Sequence, residues 1–398
     1  MTGSGTPVSI AVVRARYNPY GGAERFVQRA FAALAAQGVE LTIVARDWPR
    51  GTQETQSGRD LAGAVPLRFL RVDPFYLGSV WRDWSFARGV RAALCGGRYH
   101  LIQSHERIPG LPVFRAGDGV HADFLAQRRR ALPAWRAAML YANPYHAYTL
   151  AAERAMFRHP ALKAVICNSD MVRAQIRQRF GVADDKLLLI RNGVDLVRFR
   201  PPGADERAQA RSALGVAADV PVFAFVGSGF ERKGLAAAID ALGRLPAGAD
   251  ALLLVAGTDR RARAYRARAA RGPAADRIRF LGGVDDVRPV LWASDAFVLP
   301  TLYDPFPNAV LEALACGLPV IGSTGSGASE LLHDGVNGYV TDALDVDAIA
   351  RAMAALTDPA RRAAMSQQAR RSAEPCSLDA MGAALIALYR RLIESGPP

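Results

Sequence analysis

The feature that most constrains this chain is a rhythm that runs, stops and starts again. Short apolar runs of strand length alternate with longer stretches of helical spacing, and Gly-containing turns separate them. In the first half the runs are Val8–Val13, Leu41–Ala45, Leu67–Val72, Leu101–Ser104 and Ala164–Asn168. Between the first two, Phe26, Val27, Ala30, Phe31 and Leu34 share one face of a helix over Ala23–Gln37, with Gly38 as its stop. The stretch Asp195–Gln209 is rich in proline and charge and reads as a linker. The rhythm then resumes with Val220–Gly227, Ala251–Gly257, Ile278–Leu281, Ala296–Pro300 and Pro319–Ser323. Such alternation predicts parallel, doubly wound α/β sheets. Two arrays predict two similar domains, residues 1–197 and 198–376. Open parallel sheets bind ligands beyond the carboxyl ends of their strands, so the expected site is a cleft between the two. Residues 377–398 contain an amphipathic stretch, with Met381, Ala384, Leu385, Leu388 and Leu392 apolar, expected to cross back onto the first domain.

Bulk properties narrow the function classes. A length of 398 residues suits two domains at roughly 100–200 residues each. Half the residues are hydrophobic and 22% are charged, which excludes a disordered chain. The longest apolar stretches, such as Ala251–Ala256, fall far short of the roughly 18 residues needed to span a bilayer. The N-terminal residues lack a basic lead-in to an apolar core, so a cytoplasmic protein is expected. The cysteines Cys95, Cys167, Cys316 and Cys376 are widely spaced and suggest neither zinc nor disulfides. A net charge of +13 favours anionic partners: a phosphorylated substrate, an anionic membrane surface or nucleic acid.

Four motifs carry chemistry. In Asp304-Pro-Phe-Pro-Asn-Ala-Val-Leu-Glu312 two carboxylates bracket a loop that enters a helix, with Asn308 as candidate N-cap and Gly317 as stop. Carboxylates at the carboxyl end of a sheet can hold polyol hydroxyls through charge-assisted hydrogen bonds. For Asp304 alone, a plain helix-dipole role is equally good. In Gly227-Ser-Gly-Phe-Glu-Arg-Lys-Gly234 a strand ends, glycines turn the chain, and Arg232 and Lys233 open a helix, which suits a diphosphate. Arg at position 232 excludes the dinucleotide-binding glycine fingerprint. In Tyr20-Gly-Gly-Ala-Glu24, Gly21 and Gly22 would let backbone approach a ligand. In Arg115-Ala-Gly-Asp-Gly-Val-His121, Asp118 lies between glycines with His105 and His121 near, a candidate acceptor-side loop.

Together, Val165–Ser169, Arg191-Asn-Gly-Val-Asp195, Phe225–Gly234 and Leu302–Ser323 resemble glycosyltransferase family 4, retaining enzymes of the GT-B fold with two Rossmann-like domains. Within it, His105–His121 is similar to the lipopolysaccharide core glucosyltransferase I group. The resemblance implies a nucleotide-sugar donor, UDP-glucose by suggestion, used as substrate with no cofactor and no metal. It implies that Arg232 and Lys233 grip the diphosphate and that Glu312 holds the ribose. Asp304, where the family has Glu, would hold the transferred sugar with backbone groups of Phe306, Pro307 and Asn308. Gly21 and Gly22 would approach the diphosphate from the other domain, and Asp118 would lie near the acceptor hydroxyl. The implied acceptor is a phosphorylated glycolipid, an inner-core heptose of lipopolysaccharide.

Between Phe124 and Arg158, Arg128, Arg129, Arg130, Arg136 and Arg154 interleave with Trp135, Met139, Leu140, Tyr141, Tyr145 and Phe157. That mixture suits peripheral contact with an anionic membrane. No helix-turn-helix, zinc or RNA-platform signature accompanies it, so nucleic acid is not an expected partner. Three rivals stay open: a glycosyltransferase of another surface glycan or glycolipid with a different donor, an epimerase or phosphorylase on the same fold, and a catalytically silent carbohydrate-binding protein.

Overall fold

The computed structural model describes residues 8–16, 39–47, 67–96 and 99–394. The helix expected over Ala23–Gln37 and the turn carrying Gly21 and Gly22 lie outside them. The chain divides into two units. The first comprises residues 1–125, 132–191 and 378–398; the second comprises 126–131 and 192–377. The divisions fall a few residues from 197/198 and 376/377, and the short segment Ala126–Ala131 clusters with the second unit.

The first unit is built on a seven-stranded sheet. Its strands are β1 (Ser9–Val13), β2 (Glu40–Ala45), β3 (Leu67–Arg71), β4 (Leu101–Ser104), β5 (Val113–Arg115), β6 (Ala164–Cys167) and β7 (Leu187–Leu189). They lie in the order β3-β2-β1-β4-β5-β6-β7, every neighbouring pair parallel. Central β1 has Val12 opposite Ile43 on one side and Gln103 on the other. Ile10, Ala11, Val12 and Val13 are all buried. A strand covered on both faces reads as a continuous apolar run, which is why β1 was legible as one.

The second unit repeats the plan with β8 (Val222–Val226), β9 (Leu252–Ala256), β10 (Ile278–Gly282), β11 (Ala296–Val298), β12 (Val320–Ser323) and β13 (Gly338–Thr341). Their order is β10-β9-β8-β11-β12-β13, again all parallel. Both sheets therefore reverse direction of growth at one place: between β1 and β4 in the first, between β8 and β11 in the second. Loops leaving adjacent strands there part to opposite faces and open a crevice, the standard ligand position in this architecture.

The linker expected over Asp195–Gln209 is only partly a linker. A helix runs over Ala204–Ala213, and the Glu206 carboxylate accepts the Gly203 N–H at 2.8 Å. Glu three residues past the N-cap is a capping signal that outweighs the polar composition. The helix Leu378–Glu394 packs in the first unit, where Met381, Leu385, Leu388 and Tyr389 join Ile10, Val12, Ile43 and Ile166 in one core. The Tyr389 hydroxyl donates to Gln103 Oε1 at 2.6 Å, satisfying two polar groups inside that core. Among the described residues no helix is long and apolar enough to cross a membrane.

Leu385 is fully buried. Leu385→Ala is expected to destabilise the first unit by about 2–5 kcal/mol, the cost of a cavity at such a site. Urea titration should show a lower midpoint with the slope preserved; an unshifted midpoint would mean that the helix contributes nothing to this core.

Candidate active site

The loops that leave β8 and β11 meet at the switch point of the second sheet. After β8 the chain passes through Gly227, Ser228 and Gly229, makes one short helical turn over Phe230–Lys233, and breaks at Gly234 before the helix Leu235–Leu242. Arg232 and Lys233 thus close a short turn and do not open the long helix, as the sequence had suggested. Nor is the leading N–H of that turn free, because Phe230 N donates to Asp259 Oδ2 at 2.7 Å.

Gly234 explains the break. Its φ is +77°, and a Cβ there would sit 1.9 Å from the carbonyl oxygen of Pro300. Only glycine allows this approach without strain or collision. With the backbones in contact, the Arg232 carbonyl accepts both the Leu302 N–H and the Thr301 hydroxyl, each at 2.8 Å. The two loops are therefore fastened by backbone before any charge is considered.

The charges complete the junction. Lys233 Nζ donates to Asp304 Oδ2 at 2.6 Å, and Arg232 Nη1 donates to the same oxygen at 2.5 Å. Lys233 and Asp304 are buried, while Arg232 remains partly open to solvent. Asp304 is fixed from behind as well: its N–H donates to Gly325 O and its carbonyl accepts from Gly327 N, each at 2.9 Å. Burial alone would raise the Asp304 carboxyl, but Lys233 and Arg232 outweigh it and hold the group below its usual range. Burial lowers the Lys233 ammonium, with Asp304 opposing and Arg232 adding to the shift. The reading of Asp304 as a plain helix-dipole residue fails on this geometry, since its carboxylate is the anchor of two cations.

The helix that follows runs over Asn308–Ala315, with Gly317 as its stop at φ +76°. Asn308 is not the N-cap. Pro307 takes that position without a side-chain bond, and Asn308 Oδ1 instead accepts from Asn192 Nδ2 at 2.8 Å. Asn192 also donates to Phe306 O at 3.1 Å, so the Asn192 amide, missed from sequence as a site residue, props the Phe306–Asn308 segment. Its only signal was its place in Arg191-Asn-Gly-Val-Asp195. Glu312 lies half-buried within the first turns of this helix. The one Asp-x-Asp spacing, Asp345-Val-Asp347, is occupied structurally: Asp345 caps the helix Val346–Ala355, and Asp347 pairs with Arg244.

In the first unit the candidate loop follows β5. Gly119 has φ +66°, Arg107 Nη2 donates to its carbonyl at 3.0 Å, and the buried Glu153 carboxylate accepts the His121 N–H at 3.0 Å. Arg107 and Glu153 are themselves paired at 2.9 Å. This frame holds Asp118 exposed at the rim of a cavity. The two histidines do other work. His105 is buried, and burial pushes it well below its usual range. His121 shares a 3.0 Å hydrogen bond with His146 and is pushed down to about 4, chiefly by burial. His105 in turn shares a 3.1 Å hydrogen bond with Gln103.

The basic–aromatic stretch divides in two. Trp135, Met139 and Tyr141 are exposed, whereas Leu140 and Phe157 are core residues and Tyr145 lines the cavity. Phe75, Leu77, Trp81 and Trp84, which the sequence reading passed over, are exposed as well. Arg128 and Arg130, within the segment that clusters with the second unit, pair there with Glu231 and Asp342.

Because the folded Asp304 carboxyl titrates below its unfolded value of about 3.9, its stabilisation is complete above that pH and is lost as pH falls through the folded value. Asp304→Asn strands a buried ammonium and should cost about 3–5 kcal/mol at pH 7. The deficit should begin to shrink below about pH 4, where the unfolded carboxyl takes up its proton, and go on shrinking as pH falls towards the lower folded value. Urea titrations at pH 7 and pH 3 measure both values, and equal stabilities at pH 7 would refute the anchor.

The chain matches known proteins along most of its length. Residues 20–198 match Glycosyltransferase Family 4, and residues 206–372 match Glycosyl transferases group 1. The chain is 27% identical to the lipopolysaccharide core biosynthesis glycosyltransferase LpsE of Rhizobium meliloti, over 84% of each chain. Its fold is similar to that of WaaG, a glycosyltransferase involved in lipopolysaccharide biosynthesis, with TM-score 0.79 and 22% identity over 95% of this chain and 99% of that one. It is similar also to Anabaena HepE in complex with UDP-glucose, with TM-score 0.72 and 19% identity over 96% of this chain and 99% of that one. The two parallel-sheet units are the Rossmann-like halves of a GT-B fold.

Proposed function

Since the chain belongs to the glycosyltransferases, pairing a Family 4 domain with a group 1 domain, we propose that it moves glucose from UDP-glucose onto a phosphorylated glycolipid of the lipopolysaccharide core. The observation that carries this reading is the cluster of Arg232, Lys233 and Asp304 at the switch point of the second sheet. Breaking the bond between sugar and diphosphate leaves negative charge on the leaving group. Fixed cations placed where that charge develops are the strongest form of catalytic assistance. Arg232 has five N–H donors and Lys233 three, so their bonds to Asp304 leave donors for a diphosphate.

The remaining roles follow the same reading. Glu312 holds the ribose, and the Phe306, Pro307 and Asn308 backbone, propped by Asn192, lies along the transferred sugar. Gly21 and Gly22, which lie outside the described residues, offer backbone N–H groups to the diphosphate. Asp118 serves the acceptor hydroxyl from its exposed position. Transfer retains the anomeric configuration by same-face attack, without a metal and without a cofactor beyond the donor. UDP-glucose is supported by the HepE complex, and the acceptor by the names of LpsE and WaaG.

Arg232→Ala and Lys233→Ala should each lower turnover about 10²-fold or more, and UDP should raise the melting temperature of the wild type while GDP, ADP and CMP do not. Near wild-type turnover in both variants, or no response to UDP at millimolar concentration, would reject this site.

The acceptor places the protein at the cytoplasmic face of an anionic membrane. Trp135 and Met139 stand four residues apart and so share a helix face, Arg136 lies over the Trp135 ring, and Arg154 adds charge. Aromatic and basic groups so mixed suit an anionic interface. Flotation with phosphatidylglycerol vesicles at low salt should recover the wild type and lose it on Trp135→Ser/Met139→Ser; no recovery of the wild type refutes membrane contact.

A further inference from the structure

A third loop, the one that leaves β12, also reaches the cluster of Arg232, Lys233 and Asp304. Residues 324–327 run against residues 302–304, backbone to backbone. Gly325 permits the approach, because a Cβ there would stand 2.2 Å from the Leu302 carbonyl oxygen. The Asp304 N–H donates to Gly325 O and the Gly327 N–H donates to Asp304 O, each at 2.9 Å, which pairs Asp304 with Ser326 in a parallel bridge. Partners in such a bridge send their side chains to the same face, about 5 Å apart. Ser326 therefore stands beside the carboxylate that anchors the two cations.

Three other hydroxyls along this seam tie the loops together. Ser329 Oγ donates to Ser323 O and Ser323 Oγ to Thr301 O, each at 2.6 Å, and Thr301 Oγ1 donates to Arg232 O at 2.8 Å. Ser326 has no such duty. It is buried, and among the described residues its Oγ has no partner. It stands at the N-cap of a short 3₁₀ turn over Gly327–Leu331, where a serine oxygen ordinarily accepts a backbone N–H, yet it makes no capping bond. A buried hydroxyl left unbonded destabilises a fold and calls for a partner. Asp304 has capacity to spare as well. Its Oδ2 takes both cations, whereas among the described residues Oδ1 accepts just the Phe306 N–H, at 3.3 Å.

A sugar hydroxyl both donates and accepts hydrogen bonds, but an ionised carboxylate can only accept. Asp304 by itself leaves the lone pairs of a bound hydroxyl unanswered, and the serine hydroxyl beside it can donate to them. One turn about χ1 carries that hydroxyl among its three staggered positions, and no bond is given up in the turn. We propose that Ser326 is a specificity residue for the transferred sugar, its Oγ donating to the sugar hydroxyl whose proton is accepted by Asp304 Oδ1. The assignment rests on the transferase reading for the presence of a sugar beside Asp304. The buried serine then gains its missing partner only when a donor is bound, so the cost it imposes on the empty fold is relieved by the sugar and not by the nucleotide.

Calorimetric titration of the full chain with UDP, UDP-glucose, UDP-galactose and UDP-N-acetylglucosamine tests the contact, together with urea unfolding of the ligand-free protein. Ser326→Ala should weaken binding of whichever nucleotide sugar the wild type holds most tightly by about 5-fold or more, the worth of one hydrogen bond. Binding of UDP, which has no sugar to contact, should stay unchanged. The urea midpoint of the variant should equal or exceed that of the wild type, because the change removes a buried polar group that no described neighbour satisfies. The proposal is overturned if the nucleotide sugar binds the variant as tightly as the wild type, or if UDP weakens by the same factor. It is overturned also if the midpoint falls, which would reveal a structural partner for the hydroxyl, or if the wild type binds UDP and none of the three nucleotide sugars. A wild type that binds none of the four ligands would instead remove the transferase reading beneath it, and this contact with it.

Discussion

One carboxylate oxygen organises the second unit's site. Asp304 Oδ2, on the loop after β11, receives both Lys233 and Arg232 from the loop after β8. An ammonium as deeply buried as Lys233 is unaffordable without a partner, so the two loops must close together or not at all. Gly234 makes that closure geometrically possible and Asp304 makes it electrostatically necessary. The result is a pair of cations held rigid before any ligand arrives. Side chains pre-oriented in this way stabilise developing charge without having to reorganise.

The same topology yields two different chemistries. Each sheet opens at its switch point, yet the second fills the opening with one compact ion cluster, whereas in the first Arg14, Arg16, Arg46, Arg82 and Arg107 line a cavity together with Asp83, Glu106 and Asp118. The difference lies in the loops. Glycines after β8 bring backbone against backbone, whereas Arg14 after β1 and Arg107 after β4 line a cavity. Fold fixes where a ligand can lie; the loop residues decide what it is.

Of the thirteen described strands, sequence reading recovered ten and missed β5, β7 and β13. β1, β8 and β9 each hold a continuous apolar run of four or more residues, whereas β4 pairs Leu101 and Ile102 with two polar residues, Gln103, which Tyr389 satisfies, and Ser104. β5 and β7 have three residues each, and β13 begins on glycine, so no period is visible in any of them. At the site, the residue types at 232, 233, 304 and 312 were legible because charged groups beside glycine turns stand out. That Asp304 would bind the two cations was not, because Lys233 and Arg232 lie 71 and 72 residues before it and only the fold brings them together. Polar composition hid the Ala204–Ala213 helix for a simpler reason: its capping signal lies in the Glu206 side chain and not in hydrophobic spacing. The cavity arginines were invisible as a group, since they come from four separate stretches of chain.

The helix Leu378–Glu394 ties the order of synthesis to the order of folding. Residues up to Arg191 leave the ribosome with the first sheet complete in strands but open on the face that Met381, Leu385 and Leu388 will cover. The intervening stretch up to Ser377 is built first, and at roughly 5–20 residues per second that takes on the order of 10–40 s. During that interval the second unit, whose own core draws nothing from the late helix, is free to fold. The first unit meanwhile waits with apolar surface uncovered, a state that favours capture by chaperones or by other nascent chains. The chain thus finishes its beginning last, and any stall in translation beyond Arg191 prolongs the exposure.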